Sequence, residues 1–305
     1  MNGHGPAIVV EGLRKAYGET QAVDGVTLQV THGEVVALLG PNGAGKTTCV
    51  EILEGYRRRD AGRVEVLGVD PERGGRAFRE RIGVVLQEAG FEDQFSVLEL
   101  VRLHAGYYPR PRPVDAVIEV VGLADKRHAR VKTLSGGQRR RLDLALGIIG
   151  DPELLFLDEP TTGFDPAARR KAWELIDRLR DLGTTILLTT HYMDEAEHLA
   201  DRLIVIDHGR VAAEGTAEQL AARSGARTVV SFRLPNAIVD TRLPDLAGTV
   251  RAAGATTEVV TTEPTRDLRS LTSWALDHGI ALDGLALTRP GLEDVYLDLI
   301  EASDA

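Results

Sequence analysis

Hydrophobic positions fall into short apolar runs over the first third of the chain and into alternating helical and apolar stretches after it. "AIVVEGL" and "VTLQVTHGEVVALLG" are rich in β-branched residues and broken by Gly and Asp, as strands and turns are. "GEVVALLG" is apolar without alternation, the pattern of a strand buried on both faces. The next stretch, "KTTCVEILEGY", places Val50, Leu53 and Ile52 at helical spacing. "RIGVVLQ" predicts another buried strand. From residue 92 to about 130 the spacing is helical in "SVLELVRLHAGYY" and "VDAVIEVVGLA", with the Pro-rich turn "YPRPRPV" between them.

From Leu134 onward helix and strand alternate. "GQRRRLDLALGIIG" leads to "ELLFLDE", "PAARRKAWELIDRLRDLG" to "TTILLTTH", and "MDEAEHLADR" to "RLIVIDHG". This alternation predicts an α/β fold with a mainly parallel sheet and helices on both faces. Ligands then collect at the carboxyl ends of the strands. Near residue 222 the composition changes: Lys disappears and Thr becomes frequent. "TVVSFRL" reads as a strand, "RDLRSLTSWALDHG" as a helix and "GLEDVYLDLIE" as a closing helix. Residues 222–305 are therefore expected to form a small α/β accessory domain after a main domain at 1–221.

Composition narrows the classes of function. The 305 residues carry a formal charge of −10, which argues against a nucleic-acid partner bound through a basic face. The Arg cluster in "YRRRDAGR" reads as a solvated face. A single cysteine, Cys49, excludes an intrachain disulfide and fits a reducing compartment. "MNGHGPAIVVEG" lacks the pattern of a secretory signal. No window approaches the ~20 apolar residues that span a bilayer. The most apolar stretch, "LALGIIGDPELLFL", is interrupted by Asp151, Pro152 and Glu153. The chain is thus expected not to cross a membrane itself, which leaves it free to sit on a membrane protein.

"GPNGAGKT", Gly40 to Thr47, satisfies G-x-x-x-x-G-K-S/T between an expected strand and an expected helix. The loop of Gly40, Pro41, Asn42, Gly43, Ala44 and Gly45, with Thr48 after it, is expected to hold phosphates: its glycines let backbone N–H groups curl around them, and the helix dipole adds attraction. Lys46 would bridge the β- and γ-phosphates of ATP, and the Thr47 hydroxyl would bind Mg²⁺. "LLFLDE" delivers Asp158 and Glu159 to a strand end. If the backbone stays extended there, successive side chains point opposite ways, Asp158 to the metal and Glu159 to an attacking water. Gln87 and His191 also end strands, where an ordinary turn residue and a structural histidine are the plain alternatives.

One glycine-rich stretch is left over. "LSGGQ", with Ser135, Gly136, Gly137 and Gln138, lies far downstream of a phosphate loop that is already complete. A plain account makes Ser135 a helix N-cap. Together, GPNGAGKTT, Gln87, LSGGQ, LLFLDE, the "GFD" ending in Asp165, and His191 resemble the ATP-binding cassette (ABC) family of ATPases over roughly residues 6–220. The resemblance implies a P-loop NTPase core with an antiparallel β subdomain and a helical subdomain at about 88–135. It implies a head-to-tail homodimer in which LSGGQ completes the ATP site of the facing subunit. It also implies roles by position: Tyr17 stacking on adenine, Gln87 sensing Mg²⁺ and the attacking water, Asp165 communicating between sites, His191 touching the γ-phosphate and Glu159 acting as base. Phe164 stands where the family commonly has Leu. The "RRR" after Gln138 reads as the solvated outer face of the signature helix.

A lone cassette resembles the ATPase subunit of a transporter with a separate transmembrane permease, peripheral on the cytoplasmic side of the membrane. "VEILEGYRRRDAGRVEVLGVDP", "GDPELLFLDEPTTGFDP" and "GLEDVYLDLI" resemble drug-resistance exporters of the daunorubicin type. The alternatives are a soluble ATP-dependent switch and a subunit serving another cargo, such as a lipid or polysaccharide.

Overall fold

A computed structural model describes residues 5–85, 90, 92–223, 228–234, 243–254, 256–288, 292 and 296. The chain divides into two compact units, Met1–Ala217 and Glu218–Ala305. The division falls at the start of a helix, Ala217–Arg223, a few residues before the change of composition at 222.

The first unit contains two sheets. In one, β1 (Ile8–Tyr17) pairs antiparallel with β2 (Thr20–Val30). β3 (Val35–Leu39) follows and belongs to the second sheet; β4 (Ala61–Val66) returns to pair with β1, giving the order β2-β1-β4. The second sheet has the order β5-β6-β7-β3-β8-β9, with β5 (Ile82–Val85), β6 (Leu154–Asp158), β7 (Thr185–Thr189), β8 (Arg202–Asp207) and β9 (Arg210–Gly215). All its pairings are parallel except β8–β9. β3 and β7 are buried at every residue, which is why they read as unbroken apolar runs. β1 instead alternates, burying Ile8, Val10 and Leu13. Its buried side joins a core shared with the second sheet through Val36, Phe156 and Ile204.

Helices cover the second sheet. α1 (Lys46–Leu53) follows β3, and the short α2 (Gly75–Arg79) precedes β5. Among the described residues between β5 and β6, the helices are α3 (Val97–Ala105), α4 (Val114–Val120), two single 3₁₀ turns and then α5 (Gly136–Ile148). α3 and α4 pack on each other and on α5. α6 (Pro166–Asp181) opens on an Asp165 cap with Pro at its first position and ends with Arg178 and Arg180 in its last turn. Its Ala172, Leu175, Ile176 and Leu179 form one buried stripe. At about 1.5–3 kcal/mol for each large apolar side chain, that stripe outweighs intrinsic propensity in holding the helix. α7 (Met193–Leu199) follows β7, and α8 (Ala217–Arg223) follows β9.

The parallel register sets three strand ends at one level. Thr189 of β7 lies opposite Asp158 on one side and Leu38 on the other. The chain leaves β3 into the glycine loop, β6 into Glu159 and β7 into His191, so residues far apart in sequence share one edge.

Among the described residues, the second unit holds most of α8, then a four-stranded antiparallel sheet with a helix packed on it. β10 (Thr228–Arg233), β11 (Thr249–Ala253), β12 (Thr256–Thr261) and β13 (Asp283–Thr288) take the order β11-β12-β10-β13. α9 (Pro264–Asp277) lays Leu271 against Val230, Phe232 and Val259. Asp267, fully buried on α9, accepts from the backbone N–H groups of Ala247 (2.8 Å) and Gly248 (3.0 Å). The closing helix expected at "GLEDVYLDLIE" lies outside the described residues except for Leu292 and Tyr296. Among the described residues, no helix is long and apolar enough to cross a membrane.

Candidate active site

The glycine loop is built from behind by the chain's own backbone. A Cβ on Gly40 would stand 2.2 Å from the Ile206 carbonyl oxygen, and one on Gly45 2.2 Å from that of Ala22. Gly43 differs: its φ is +84° and a Cβ there would meet nothing within 4 Å. Two glycines thus let the loop seat, and the third leaves its open side clear. Gly45 caps α1 without any side-chain bond, so the first N–H groups of α1 receive no side-chain acceptor at the cap. Lys46 is buried, its Nζ donating to the carbonyls of Gly40 (2.8 Å) and Pro41 (3.1 Å). Burial lowers its pKa, while the charges of Glu159 and Asp158 act in the opposite direction. Ala44 is buried, whereas Asn42, Gly43 and Thr47 are exposed and Pro41 and Thr48 half-buried.

At the end of β6 the Thr189 hydroxyl donates to Asp158 Oδ1. Glu159 has φ +46°, so the strand is not extended there as expected. The backbone at Glu159 turns into the left-handed region, which an L-residue holds only when its surroundings fix it. Thr189 supplies part of that fixing, since its carbonyl and its hydroxyl oxygen both accept from Glu159 N–H at 3.1 Å. Glu159 Oε1 lies 3.3 Å from His191 Nδ1, and its Oε2 accepts from the Thr162 hydroxyl at 2.9 Å. Asp165 Oδ1 accepts from the N–H groups of Ala167 (2.9 Å) and Ala168 (2.8 Å), capping α6. Gln87 lies outside the described residues.

LSGGQ opens α5 with a capping box. Ser135 Oγ accepts from Gln138 N–H (3.3 Å), and the Gln138 side chain accepts from Ser135 N–H (3.0 Å). A Cβ on Gly136 would meet nothing within 4 Å, and one on Gly137 only Ala168 Cβ at 3.7 Å. Tyr17, at the end of β1, is 41% exposed. Its ring lies 5.2 Å from the Arg57 guanidinium and 5.5 Å from Lys15 Nζ.

Residues 23–162 match the ABC transporter family model, and residues 228–291 match that of the C-terminal domain of ABC transporter domain-containing-like proteins. A daunorubicin resistance ATP-binding protein of Streptomyces coeruleorubidus is 42% identical over 96% of this chain and 95% of its own length. The Nod factor export ATP-binding protein I of Ralstonia nicotianae is 41% identical over 97% of this chain and 94% of its own. The solved dimeric structure of a bacterial ABC transporter cassette superposes with a TM-score of 0.61 at 25% identity, covering 68% of this chain and 98% of that one.

The chain belongs to the ABC transporter family. It is an ATP-binding, ATP-hydrolysing subunit of ABC-ATPase fold, related to subunits named for drug resistance and for Nod factor export.

Two kinds of feature of this ABC ATPase escaped sequence reasoning, the arginine clusters and a single carboxyl. The "RRR" of α5 is not a solvated face. Arg139 pairs with Asp93 (3.2 Å) and Arg141 donates to the Gly122 carbonyl (2.7 Å). Arg140 is 7% exposed and donates to backbone carbonyls at the end of β6. Nor is "YRRRDAGR" simply solvated: Arg57 pairs with Glu51, and Arg59 binds Asp70 through both Nη atoms (2.9 and 2.8 Å). Glu54 is the second miss. Burial, with the charges of Asp158 and Glu51, pushes its carboxyl up to about 8. A clue to Arg140 stood in the periodicity, because Leu144 and Ala145, four and five residues on, belong to the buried face. Glu51, three residues before it, was in local view, but the burial of Glu54 and the charge of Asp158 were not.

Proposed function

We propose that this subunit powers export of a small molecule through a separate transmembrane permease at the cytoplasmic face of the membrane. Two copies close head to tail on ATP, the glycine loop of one facing the LSGGQ of the other. The ATPase function is assigned to residues 1–221 and an accessory role to residues 222–305. The observation that carries this reading is the contrast between two glycine stretches. Gly40 and Gly45 of the loop back onto the chain's own carbonyls, whereas a Cβ on Gly136 would meet nothing within 4 Å beyond its sequence neighbours and its own helix backbone.

Within such a site each residue has a task. Gly40–Thr48 cradle the phosphates, Lys46 turns its ammonium from loop carbonyls to the β- and γ-phosphates, and Tyr17 stacks on adenine. Glu159 accepts the proton of the water that attacks the γ-phosphorus in line, as the bond to the ADP oxygen breaks. His191, beside Glu159, contacts the γ-phosphate. Ser135, Gly136, Gly137 and Gln138 enter from the second copy, with Asp165 at the boundary between the two sites. The Thr47 hydroxyl and Asp158 carboxylate, with Gln87, are hard oxygen donors of the kind Mg²⁺ takes alongside phosphate oxygens and waters. When bound, Mg²⁺ neutralises charge on the phosphoryl oxygens.

The test is recovery of Glu159→Gln with MgATP from detergent-solubilised host cells. Co-purification of a multi-span membrane protein supports the exporter assignment. A dimer that elutes free of membrane protein, or bound to ribosomes or DNA, overturns it in favour of a soluble switch. A second cargo class is favoured by the equally close likeness to a Nod factor exporter. Transport assays on the co-purified permease separate drug-like from other cargo.

A further inference from the structure

Arg140 stands on α5, two residues past the signature, and is almost completely buried. Its Nε donates to the Pro160 carbonyl at 3.0 Å, and its Nη2 to those of Asp158 at 2.8 Å and Glu159 at 3.3 Å. One guanidinium therefore holds three consecutive carbonyls. The planar fork of arginine suits this task, and a charged donor makes each bond stronger than a neutral one would. The held backbone contains Glu159, whose φ of +46° needs fixing from outside. Thr189 fixes its N–H from one side, and Arg140 fixes its carbonyl from the other.

On its far side Arg140 has a counter-ion. Asp143 Oδ2 lies 3.6 Å from Arg140 Nη1, with only 12% of the Asp143 side chain exposed. Asp143 also lines a cavity of about 1230 Å³, together with Glu54, Tyr56, Leu103 and Tyr107. The counter-ion of Arg140 thus borders open space, while its donors reach the catalytic turn.

We infer that Arg140 is a positioning residue that clamps the Asp158–Pro160 backbone, and so sets the Glu159 carboxylate for its proton transfer. The inference rests on the reading of Glu159 as base. Because the helix carrying Arg140 begins at Ser135, the clamp joins the segment a chain lends to its partner's site with the acid of its own site. Burial pushes the Asp143 carboxyl up to about 6, though Arg140 opposes the shift; this fits a counter-ion held in a low-dielectric position.

The experiment is ATP turnover by the full chain over a range of ATP concentrations, for wild type, Arg140→Lys, Arg140→Met and Glu159→Gln, with folding followed by circular dichroism. Arg140→Met is expected to lose about 30-fold in kcat and Arg140→Lys about 5-fold, with KM for ATP within about twofold in both. The partial rescue by Lys follows because it keeps the charge but not the fork. A folded Arg140→Met with wild-type kcat overturns the clamp, as does a loss of kcat matched by a rise in KM. If Arg140→Met does not fold, Arg140→Lys decides: a kcat within about twofold of wild type overturns the clamp. Wild-type turnover in Glu159→Gln overturns the base assignment and the clamp together. Loss in Glu159→Gln alongside normal Arg140 variants overturns the clamp alone.

Discussion

The glycine loop after β3 and the LSGGQ before α5 are both glycine-rich helix starts, and Gly40 and Gly45 of the first differ from Gly136 of the second in what surrounds them. At Gly40 and Gly45 an added methyl would strike carbonyls of the same chain at 2.2 Å. At Gly136 it would strike nothing within 4 Å. The loop's helix has no side-chain cap, and its lysine bonds to carbonyls within the loop. The signature's helix is closed by its own Ser135–Gln138 box. Gly40 and Gly45 are thus required by the fold itself, whereas the fold alone leaves room for a side chain at Gly136.

The largest effects break the loop. Lys46→Ala should lower ATP turnover by about 100-fold or more through weakened nucleotide binding, read by ATPase assay and by titration with a fluorescent nucleotide. Gly45→Ala should do the same and also lower the melting temperature, because φ of +102° and the Ala22 carbonyl both exclude a methyl.

The signature provides the sharper contrast. Gly136→Ala should leave the melting temperature within a few degrees of wild type, since its own chain leaves room for a methyl. If the proposed shared site holds, turnover should nonetheless fall by about tenfold, because a second copy's nucleotide would need that space. Unchanged turnover would remove the support for a shared site. Ser135→Ala, which deletes the cap, should lower stability by about 1 kcal/mol in urea melts.

The last prediction tests the far end of the loop's helix, at its C-cap Glu54. The Glu54 carboxyl sits at about 8 in the folded chain against an ordinary 4.5. The folded state then binds more protons than the unfolded one, and ∂ΔG/∂pH is negative across that window. The stabilisation is fully present below 4.5 and is lost as pH rises through 8. Glu54→Gln should flatten this fall and gain about 1 kcal/mol over wild type above pH 8, measured by urea melts at several pH values.

How much was legible beforehand varied with how local the signal is. The phosphate loop could be read because strand, glycines, lysine, threonine and helix are contiguous, and each needs only its neighbours. β3, β6 and β7 could be read as apolar runs, and α6 by its cap and stripe. The left-handed turn at Glu159 could not be read, since Thr189 and Arg140 fix it across 30 and 19 residues of sequence. The arginines of α5 were misread for the same reason: in a local window charge implies solvent, and only the end of β6 supplies carbonyls enough to bury one.

The sequence by itself determined which chemistry this protein carries, because backbone cradles, acidic strand ends and helix caps are set by residue type over a few positions. Only the tertiary structure decided which residues work together. The order β5-β6-β7-β3-β8-β9 brings Lys46, Glu159 and His191 to one edge of the sheet, and Arg140 binds the backbone of the Glu159 turn. Those neighbours are fixed by the cooperative packing of the whole sheet and its helices, which no stretch of the chain contains alone.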